Sequence, residues 1–225
     1  MGIHMKKFKY IIDTYKKRQI FFINEETKKI LQDVINKNYI VLKEYKNDRR
    51  TYVAKIKIEE KYYILKEPRQ KKLLRKLIGI FKKCESLIIF ENVNKLRERN
   101  IKELVNILGG GLKRKKLLIE EEFYVMDYIE GKFYFEDEKY LEIMETIKKI
   151  HLEYRYHGDC NPYNFLFNKD KIYVLDTKLK KMYFGNYRAH YDVLTLMKYF
   201  KKKIEYPYRK NMFYYIALFF RKQRD

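Results

Sequence analysis

The sequence predicts an α+β fold in two lobes, with an antiparallel sheet in the first lobe and a small, mainly helical second lobe. Two observations lead to this prediction. Apolar and polar residues alternate in three segments joined by short polar turns (39–45, 52–58 and 62–66), which indicates a meander of three strands. From residue 140 onward, apolar residues recur at helical spacing instead. A chain of 225 residues, 46% of them hydrophobic, is long enough to bury a core in such a domain.

Local signals place the elements of the first lobe in order. Asn24-Glu25-Glu26-Thr27 is typical of a helix start, so a helical extension is predicted before the sheet. Pro68 ends the third strand, and a helix is predicted from Glu85 to Arg99. Gly109-Gly110-Gly111 indicates a turn between strands, because no helix start follows that would make it a phosphate-binding loop. A further strand is predicted over 122–129.

The boundary between the lobes is predicted near the end of that strand. Residues 1–126 would form the N-terminal helical extension and the first lobe, and residues 127–225 would form the second lobe. Helices are predicted over 140–151, 192–200 and 212–220, each from apolar residues on one face.

Composition limits the possible partners. The chain carries 52 Lys and Arg against 30 Asp and Glu, a net charge of +22, and such a surface attracts polyanions such as anionic lipid headgroups, phosphorylated glycolipids or nucleic acid. Cys84 and Cys160 are too few for a disulfide scaffold and lack metal-ligand spacing, so a reducing cytoplasm is expected. No apolar run reaches the roughly 20 residues that a membrane span needs.

The most informative stretch is His157-Gly158-Asp159-Cys160-Asn161-Pro162-Tyr163-Asn164, with Asp176 beyond a predicted hairpin. In phosphoryl transfer, one Asp receives the proton of the acceptor hydroxyl, while an Asn and a second Asp hold the Mg²⁺ that bridges the ATP phosphates. Because a hairpin brings its ends together, Asn164 and Asp176 would become neighbours. We predict Asp159 as the catalytic base and Asn164 and Asp176 as magnesium ligands. The alternative is an Asn-rich surface turn followed by an incidental Asp.

Other residues have the positions that such a site requires. Lys66, at the end of the third strand, would contact the ATP phosphates, and its partner carboxylate would be Glu85 or Glu91. Glu85 is favoured because it precedes the apolar run of its helix. Asp192 would cap a helix, support the backbone of the catalytic loop, or do both. His157, like His151, is interpreted as a packing and hydrogen-bonding residue.

Taken together, these residues make the chain similar to the bacterial lipopolysaccharide core heptose kinases, of the heptose II kinase type. Three segments carry the resemblance besides the catalytic loop with Asp176: Tyr63-Ile64-Leu65-Lys66-Glu67-Pro68-Arg69, the helix opened by Cys84-Glu85-Ser86, and Met126-Asp127-Tyr128-Ile129-Glu130-Gly131. The resemblance implies a two-lobed protein-kinase-like fold that uses ATP and Mg²⁺, with Met126 and Tyr128 at the nucleotide. It also implies a heptose of the inner core as acceptor.

Two departures from the protein-kinase pattern matter. The turn from Lys46 to Arg50 has no glycine, so the side chains of Lys46, Arg49 and Arg50 are candidates to contact the phosphates in place of a backbone cradle. The segment between Asp176 and Asp192 is too short for a phosphorylated activation loop or a peptide-docking platform. A small or lipid-linked acceptor is therefore expected rather than a protein.

The resemblance further implies an anionic glycolipid or core oligosaccharide as partner and a cytoplasmic protein peripheral to the inner membrane; nucleic acid is not expected. Two segments could lie on that membrane or pack on the core as ordinary amphipathic helices. They are the basic stretch with Lys71, Lys72, Arg75, Lys76, Lys82 and Lys83, and the helix 214–220 with Arg221, Lys222 and Arg224. Two other functions remain open: a different small-molecule phosphotransferase, or a non-catalytic kinase-like protein that binds anionic lipid or nucleic acid.

Overall fold

The computed structural model of the protein describes residues 8–69, 83–116 and 118–223. They form two compact units. The first unit comprises the described residues up to Glu98 together with Asn106–Tyr128, and the second comprises Arg99–Val105 and the described residues from Ile129 onward. The second unit thus includes a short segment that precedes the last two strands of the first.

The first unit is built on a seven-stranded antiparallel sheet with the strand order β1-β2-β6-β7-β5-β4-β3. Its strands are β1 Ile11–Tyr15, β2 Arg18–Phe22, β3 Ile40–Asn47, β4 Thr51–Ile58, β5 Lys61–Pro68, β6 Ile107–Lys115 and β7 Leu118–Asp127. Among the described residues, this unit has the helices α1 Glu25–Asn36 and α2 Glu85–Glu98. The three-strand meander predicted from alternation is confirmed as β3, β4 and β5.

The start of α1 is held by local hydrogen bonds, as the sequence predicts. The Asn24 side chain accepts from the Thr27 N–H, and the Thr27 hydroxyl accepts from the Asn24 N–H, which together form a capping box. Ile30, Leu31 and Val34 are buried on one face of the helix and pack with residues of the sheet. Burial of this face stabilises α1 in its position on the sheet.

The predicted helical extension is wrong for the residues before α1, which form the β1–β2 hairpin. Tyr15 pairs with Arg18, so the turn consists of two residues, Lys16 and Lys17, both with positive φ (44° and 61°). Such a turn normally carries Asn or Gly, and a Lys-Lys pair gives no turn signal. The buried Phe22 and its neighbours join β2 to β6, and this long-range pairing decides the strand conformation.

The triple-glycine turn is also corrected. Gly109, Gly110 and Gly111 lie inside β6, between β2 and β7. A Cβ added at Gly110 would lie 2.4 Å from the backbone oxygen of Phe123 and 2.7 Å from the ring of Phe21. The glycines are therefore needed for close approach of neighbouring backbone and aromatic rings, and a turn is not their role here.

The second unit is mainly helical. Its helices are α3 Asp137–Leu152, α4 Tyr187–Met197 and α5 Met212–Lys222, and its strands are β8 Arg155–Tyr156, β9 Phe165–Asn168, β10 Lys171–Val174 and β11 Lys180–Lys181, with a 3₁₀ turn at Pro162–Asn164. β9 pairs with β10 in a hairpin, and β8 pairs with β11. Ile143, Ile147, Phe165 and Leu196 are fully buried. The predicted α+β class, a sheet unit followed by a mainly helical unit, is confirmed.

Helix α4 starts earlier than predicted. It begins at Tyr187, five residues before the predicted start, so Asp192 lies inside the helix and is not its N-cap.

The basic stretch assigned to the membrane surface, apart from Lys83, lies outside the described residues, as does Arg224. Among the residues that the structure describes, no helix combines the length and apolarity that crossing a bilayer requires.

Candidate active site

The loop of the second unit that is predicted to be catalytic is anchored by the side chain of Asp192. This carboxylate is 1% exposed, and it accepts hydrogen bonds from the backbone N–H of His157 (2.7 Å) and of Gly158 (2.9 Å). The ring of His151, on α3, contacts the same carboxylate through Nε2 at 3.2 Å, and the Tyr208 hydroxyl lies 2.7 Å from its Nδ1. The loop-supporting bonds expected of Asp192 are thus present, and they come from within a helix.

His157 ties the loop to the segment that carries Asp176. Its Nδ1 accepts from the Asp159 N–H (3.2 Å), and its Nε2 donates to the Leu175 carbonyl (3.1 Å). The Thr177 hydroxyl donates to the His157 carbonyl at 3.2 Å. Burial lowers the pKa of His157, which agrees with a neutral ring that donates at one nitrogen and accepts at the other. His157 is therefore a structural link, as the sequence predicts.

Asn164 closes the same loop from its other end. Its side-chain Nδ2 donates to the backbone carbonyl of Asp159 at 2.9 Å, and its backbone carbonyl accepts from the Leu175 N–H at 2.8 Å. Since a carbonyl can only accept, the first bond assigns the amide orientation and makes Oδ1 the atom that could ligate a metal. The hairpin thus joins Asn164 to the residue immediately before Asp176, as the spacing predicts.

The carboxylates of Asp159 and Asp176 are exposed, in contrast to the buried Asp192. Asp176 has a φ of +45°, a left-handed conformation that Asp adopts more readily than most side chains. It follows β10 by two residues, where the Leu175 bonds to His157 and Asn164 fix the backbone. Two exposed carboxylates on a backbone with many hydrogen bonds suit a site that must admit substrate.

Cys160 lies in the loop but is not positioned as a nucleophile. It is fully buried, and burial beside Asp192 raises the pKa of its thiol well above the ordinary value. A neutral thiol is a poor nucleophile. Both Cys84 and Cys160 are free thiols.

The donor set of the loop fits Mg²⁺. Asn164 Oδ1 and the Asp176 carboxylate are hard oxygen donors, and Mg²⁺ is usually held by one or two carboxylates together with substrate phosphates and water. Within residues 8–69, 83–116 and 118–223, no cluster of three or more His, Cys, Asp and Glu side chains could hold a metal. The oxygen donors of Asn164 and Asp176 suit Mg²⁺ better than zinc, whose structural sites are built mainly from Cys and His.

The predicted nucleotide residues lie in the first unit. Lys66 is half-buried on β5, paired with Val53 on one side and Tyr124 on the other. Glu85 is the first residue of α2. Glu91 is hydrogen-bonded to the Tyr10 hydroxyl and ion-paired with Lys83. The pairing of Lys66 with Glu85 stays a prediction.

Met126 and Tyr128 stand at and just beyond the end of β7. Met126 pairs with Ile64 and with Ile107 across the sheet. The Lys55 ammonium lies 3.8 Å from the centroid of the Tyr128 ring, which is a close cation–π contact. The roles of these two residues at a nucleotide stay predictions.

The glycine-free turn between β3 and β4 is ordered by Asp48. Its Oδ1 accepts from the N–H groups of Arg50 (2.7 Å) and Thr51 (2.8 Å), and these bonds lower the pKa of Asp48. Lys46 is 3.5 Å from the Asp48 carboxylate. Arg49 and Arg50 are exposed on the turn. Phosphate contacts by Lys46, Arg49 and Arg50 remain a prediction for which Asp48 supplies the scaffold.

Sequence reasoning missed a buried carboxylate in the first unit. Glu122, 3% exposed on β7, accepts from both the N–H and the hydroxyl of Ser86, each at 3.0 Å. Ser86 lies in the first turn of α2, one residue after Glu85. The bonds tie the start of α2 to the sheet and so position Glu85. The only signal in the sequence is that Glu122 is the last of three consecutive Glu residues and directly precedes the apolar part of the strand.

The described residues thus form a sheet unit that bears Lys66 and a mainly helical unit that carries the loop of Asp159, the hairpin between Asn164 and Asp176, and the Asp192 anchor. This is the α+β organisation that the sequence predicts.

Comparison with known proteins gives structural similarity alone. No protein-family model matches the sequence, and no curated protein matches it significantly. The fold is similar to the PknI kinase domain of Mycobacterium tuberculosis, with 12% identity, a TM-score of 0.44 and coverage of 77% of this chain and 79% of that one. A second structure of the same domain has 12% identity, a TM-score of 0.43 and coverage of 76% and 79%. The kinase PK-1 of Cydia pomonella granulovirus has 14% identity, a TM-score of 0.40 and coverage of 68% and 55%.

Proposed function

We propose that this protein is a kinase that transfers the γ-phosphoryl group of ATP to a sugar hydroxyl, namely a heptose of the lipopolysaccharide inner core. One observation carries the proposal of phosphoryl transfer. Asp159, Asn164 and the residue before Asp176 are joined by hydrogen bonds of 2.8–2.9 Å in one loop and hairpin, while the two Asp carboxylates stay exposed. Pre-positioned carboxylate and amide oxygens are what this reaction asks of a protein.

Each residue then has a defined task. Asp159 accepts the proton of the acceptor hydroxyl as that oxygen bonds to the γ-phosphorus and the bond from phosphorus to the β–γ bridging oxygen breaks, which releases ADP. Asn164 and Asp176 would hold Mg²⁺, which would supply neutralisation of charge on the phosphates. Lys66, positioned by Glu85, contacts the phosphates, and Met126 and Tyr128 contact the base. Asp192 and His157 keep the loop rigid.

A group of exposed aromatic rings beside the loop supports a sugar as acceptor. Tyr163, in the same turn as Asn164, is 61% exposed, and its ring centroid lies 4.8 Å from that of Phe135 and 6.0 Å from that of Phe133. The ring planes are tilted by 55° and 58°. Aromatic faces pack well on the C–H faces of sugar rings, and a phenol hydroxyl can bond to a sugar hydroxyl. That the sugar is a heptose rests on the resemblance of the sequence.

The reaction is tested by the variants Asp159→Asn and Asp176→Asn, assayed for ATP-dependent labelling of core oligosaccharide. Asp170→Asn is a matched control, because Asp170 is an exposed acid in the turn of the same hairpin. We expect each site variant to lose at least about 100-fold in rate, with unchanged circular dichroism, and the control to keep its activity. Wild-type turnover in either site variant would contradict the assignment.

The acceptor is tested separately. Mass spectrometry would compare the envelope glycolipid of cells with and without the protein. In the cells that lack the protein, one phosphate on a heptose should be missing. An unchanged glycolipid, together with intact ATP-dependent labelling of another small molecule, would replace the heptose with that acceptor and keep the kinase chemistry.

A second candidate is a kinase-like protein without activity. The observation in its favour is the turn between β3 and β4, which lacks glycine and in which Lys46 is ion-paired with Asp48. A thermal shift that requires both ATP and Mg²⁺ would show that the protein binds the nucleotide, and would count against this candidate. Salt-sensitive binding of anionic vesicles or nucleic acid without that shift would favour it.

A further inference from the structure

The helix α5 presents an apolar stripe to solvent. Met212, Tyr215, Phe219 and Phe220 are between 50% and 64% exposed, and their spacing places them on one side of the helix. Ala217, on the other side, is fully buried. A surface helix normally turns its apolar side toward the core. The outward stripe of α5 is therefore an exposed apolar surface of the kind that is typical of interaction sites.

The stripe continues onto the segment before α4. Tyr183 and Phe184 are 88% and 61% exposed. The centroid of the Phe184 ring lies 5.5 Å from that of Phe213, and the Phe213 ring is so close to Gly185 that a Cβ added there would lie 2.2 Å from it. These contacts join the segment to α5 in one surface. We call it the α5 face, consisting of Tyr183, Phe184, Met212, Tyr215, Phe219 and Phe220.

The surroundings of the α5 face are strongly basic. Between Thr177 and Gln223 the sequence has twelve Lys and Arg residues against two acidic residues, one of which, Asp192, is buried. Lys180, Lys181, Arg209 and Lys210 are exposed next to the face in sequence. The Lys181 ammonium lies 5.7 Å from the centroid of the Tyr183 ring, so cations and exposed rings are intermixed.

We infer that the α5 face binds the surface of an anionic lipid bilayer. Tyr and Phe side chains partition to the boundary between headgroups and acyl chains, and Lys and Arg bind lipid phosphates. A protein partner is a poorer fit, because lysine is depleted at protein–protein interfaces and here it surrounds the apolar stripe. The inference concerns binding alone and does not depend on the proposed phosphoryl transfer.

The experiment is flotation of the purified full chain with vesicles of phosphatidylcholine alone or of equal parts phosphatidylglycerol and phosphatidylcholine. We expect binding to the anionic vesicles only, weakened by salt. The double variant Phe219→Ser and Phe220→Ser should bind at least about tenfold more weakly, since two rings are lost from the interface. The double variant Lys180→Glu and Lys181→Glu should also lose binding at least about tenfold.

Leu141→Ser is the matched control. Leu141 is 48% exposed on α3, but its neighbours on that side of the helix are Glu138, Glu142 and Glu145. We expect this variant to bind vesicles like the wild type. Equal vesicle binding by the wild type and the Phe219/Phe220 variant, both with unchanged melting temperatures, would overturn the inference.

Association with a second copy of the chain would overturn it as well. That outcome would appear as a concentration-dependent dimer that the Phe219/Phe220 variant abolishes, with no binding to anionic vesicles. Phosphorylation of soluble core oligosaccharide reads out the proposed function independently. Failure of the kinase assay with intact vesicle binding, or the reverse, would therefore separate the two proposals.

Discussion

Replacing Asp192 with Ala should strongly destabilise the second unit. The carboxylate is 1% exposed and accepts from the N–H groups of His157 (2.7 Å) and Gly158 (2.9 Å), with the His151 ring nitrogen at 3.2 Å. A hydrogen bond to a charged group contributes about 1.5–3 kcal/mol, and a buried donor without a partner costs about 1–3 kcal/mol. Because the bonds share one carboxylate and are not additive, we expect a loss of about 3–5 kcal/mol.

The conservative variant separates the charge from the shape of Asp192. In Asp192→Asn one oxygen can still accept, but the new NH₂ group faces a donor, so we expect a loss of about 2 kcal/mol. Asp170→Asn, at an exposed position in the β9–β10 turn, should change stability by less than about 0.5 kcal/mol.

Urea denaturation and amide hydrogen exchange measure this effect. A local loss of about 3 kcal/mol corresponds to roughly 100-fold faster exchange of the His157 and Gly158 amides. If Asp192→Ala costs less than about 1 kcal/mol and leaves the exchange of both amides unchanged, the carboxylate does not anchor the loop and the reasoning fails.

Three further predictions concern stability and nucleotide binding. Burial lowers the pKa of His190 from 6.5, so the unfolded chain takes up a proton at higher pH than the folded protein. The contribution of the neutral His190 to stability is therefore present above about pH 6.5 and is lost as the pH falls below that value. The variant His190→Phe should flatten the decline of the urea midpoint from about pH 7 to about pH 5. An equally steep decline in the variant would contradict this prediction. Gly110→Ala should cost at least about 3 kcal/mol, because its Cβ would meet a backbone oxygen at 2.4 Å. Gly158→Ala, where the nearest atom would be 3.4 Å away, should cost about 1–2 kcal/mol from its φ of +91°; the reverse order in urea denaturation would count against the packing argument. Lys66→Ala should abolish the thermal shift produced by Mg²⁺ and ATP. In the wild type, a ligand at 100 times its Kd stabilises the folded state by about 2.7 kcal/mol. The exposed Lys61, on the same strand, supplies the control Lys61→Ala, and an unchanged shift in the Lys66 variant would remove this lysine from the nucleotide site.

Local signals predicted much of the fold. The capping residues Asn24 and Thr27 set the start of α1 because both hydrogen bonds lie within four residues of chain. The alternation around Thr51–Ile58 predicted β4 because one side of that strand is buried and the other is not. Similarly, two apolar segments on either side of the polar turn 168–171 predicted the hairpin between Asn164 and Asp176, and the structure contains it.

Predictions failed where distant residues decide the local structure. Lys16 and Lys17 turn the β1–β2 hairpin without any turn-forming residue, because β2 gains its stability by pairing with β6 across the sheet. The glycines around Gly110 serve neighbouring strands and not a turn. Of the two roles predicted for Asp192, the helix cap is wrong because the helix begins five residues earlier, whereas its oxygen atoms do accept from the loop 34 and 35 residues earlier in the chain.

The sequence by itself determined the kinds of chemistry available to this protein: the set of Asp159, Asn164 and Asp176, the strand lysine Lys66, and a large excess of positive charge. These depend on residue type and short-range spacing, which can be read along the chain. Only the tertiary structure decided which groups are buried and which are exposed. It placed His157, Asp192 and Ser86 with Glu122 in the hydrogen bonds that hold these elements, and it turned the apolar side of α5 outward. Burial and long-range hydrogen bonds depend on contacts between residues far apart in the chain, so short-range spacing by itself does not give their partners.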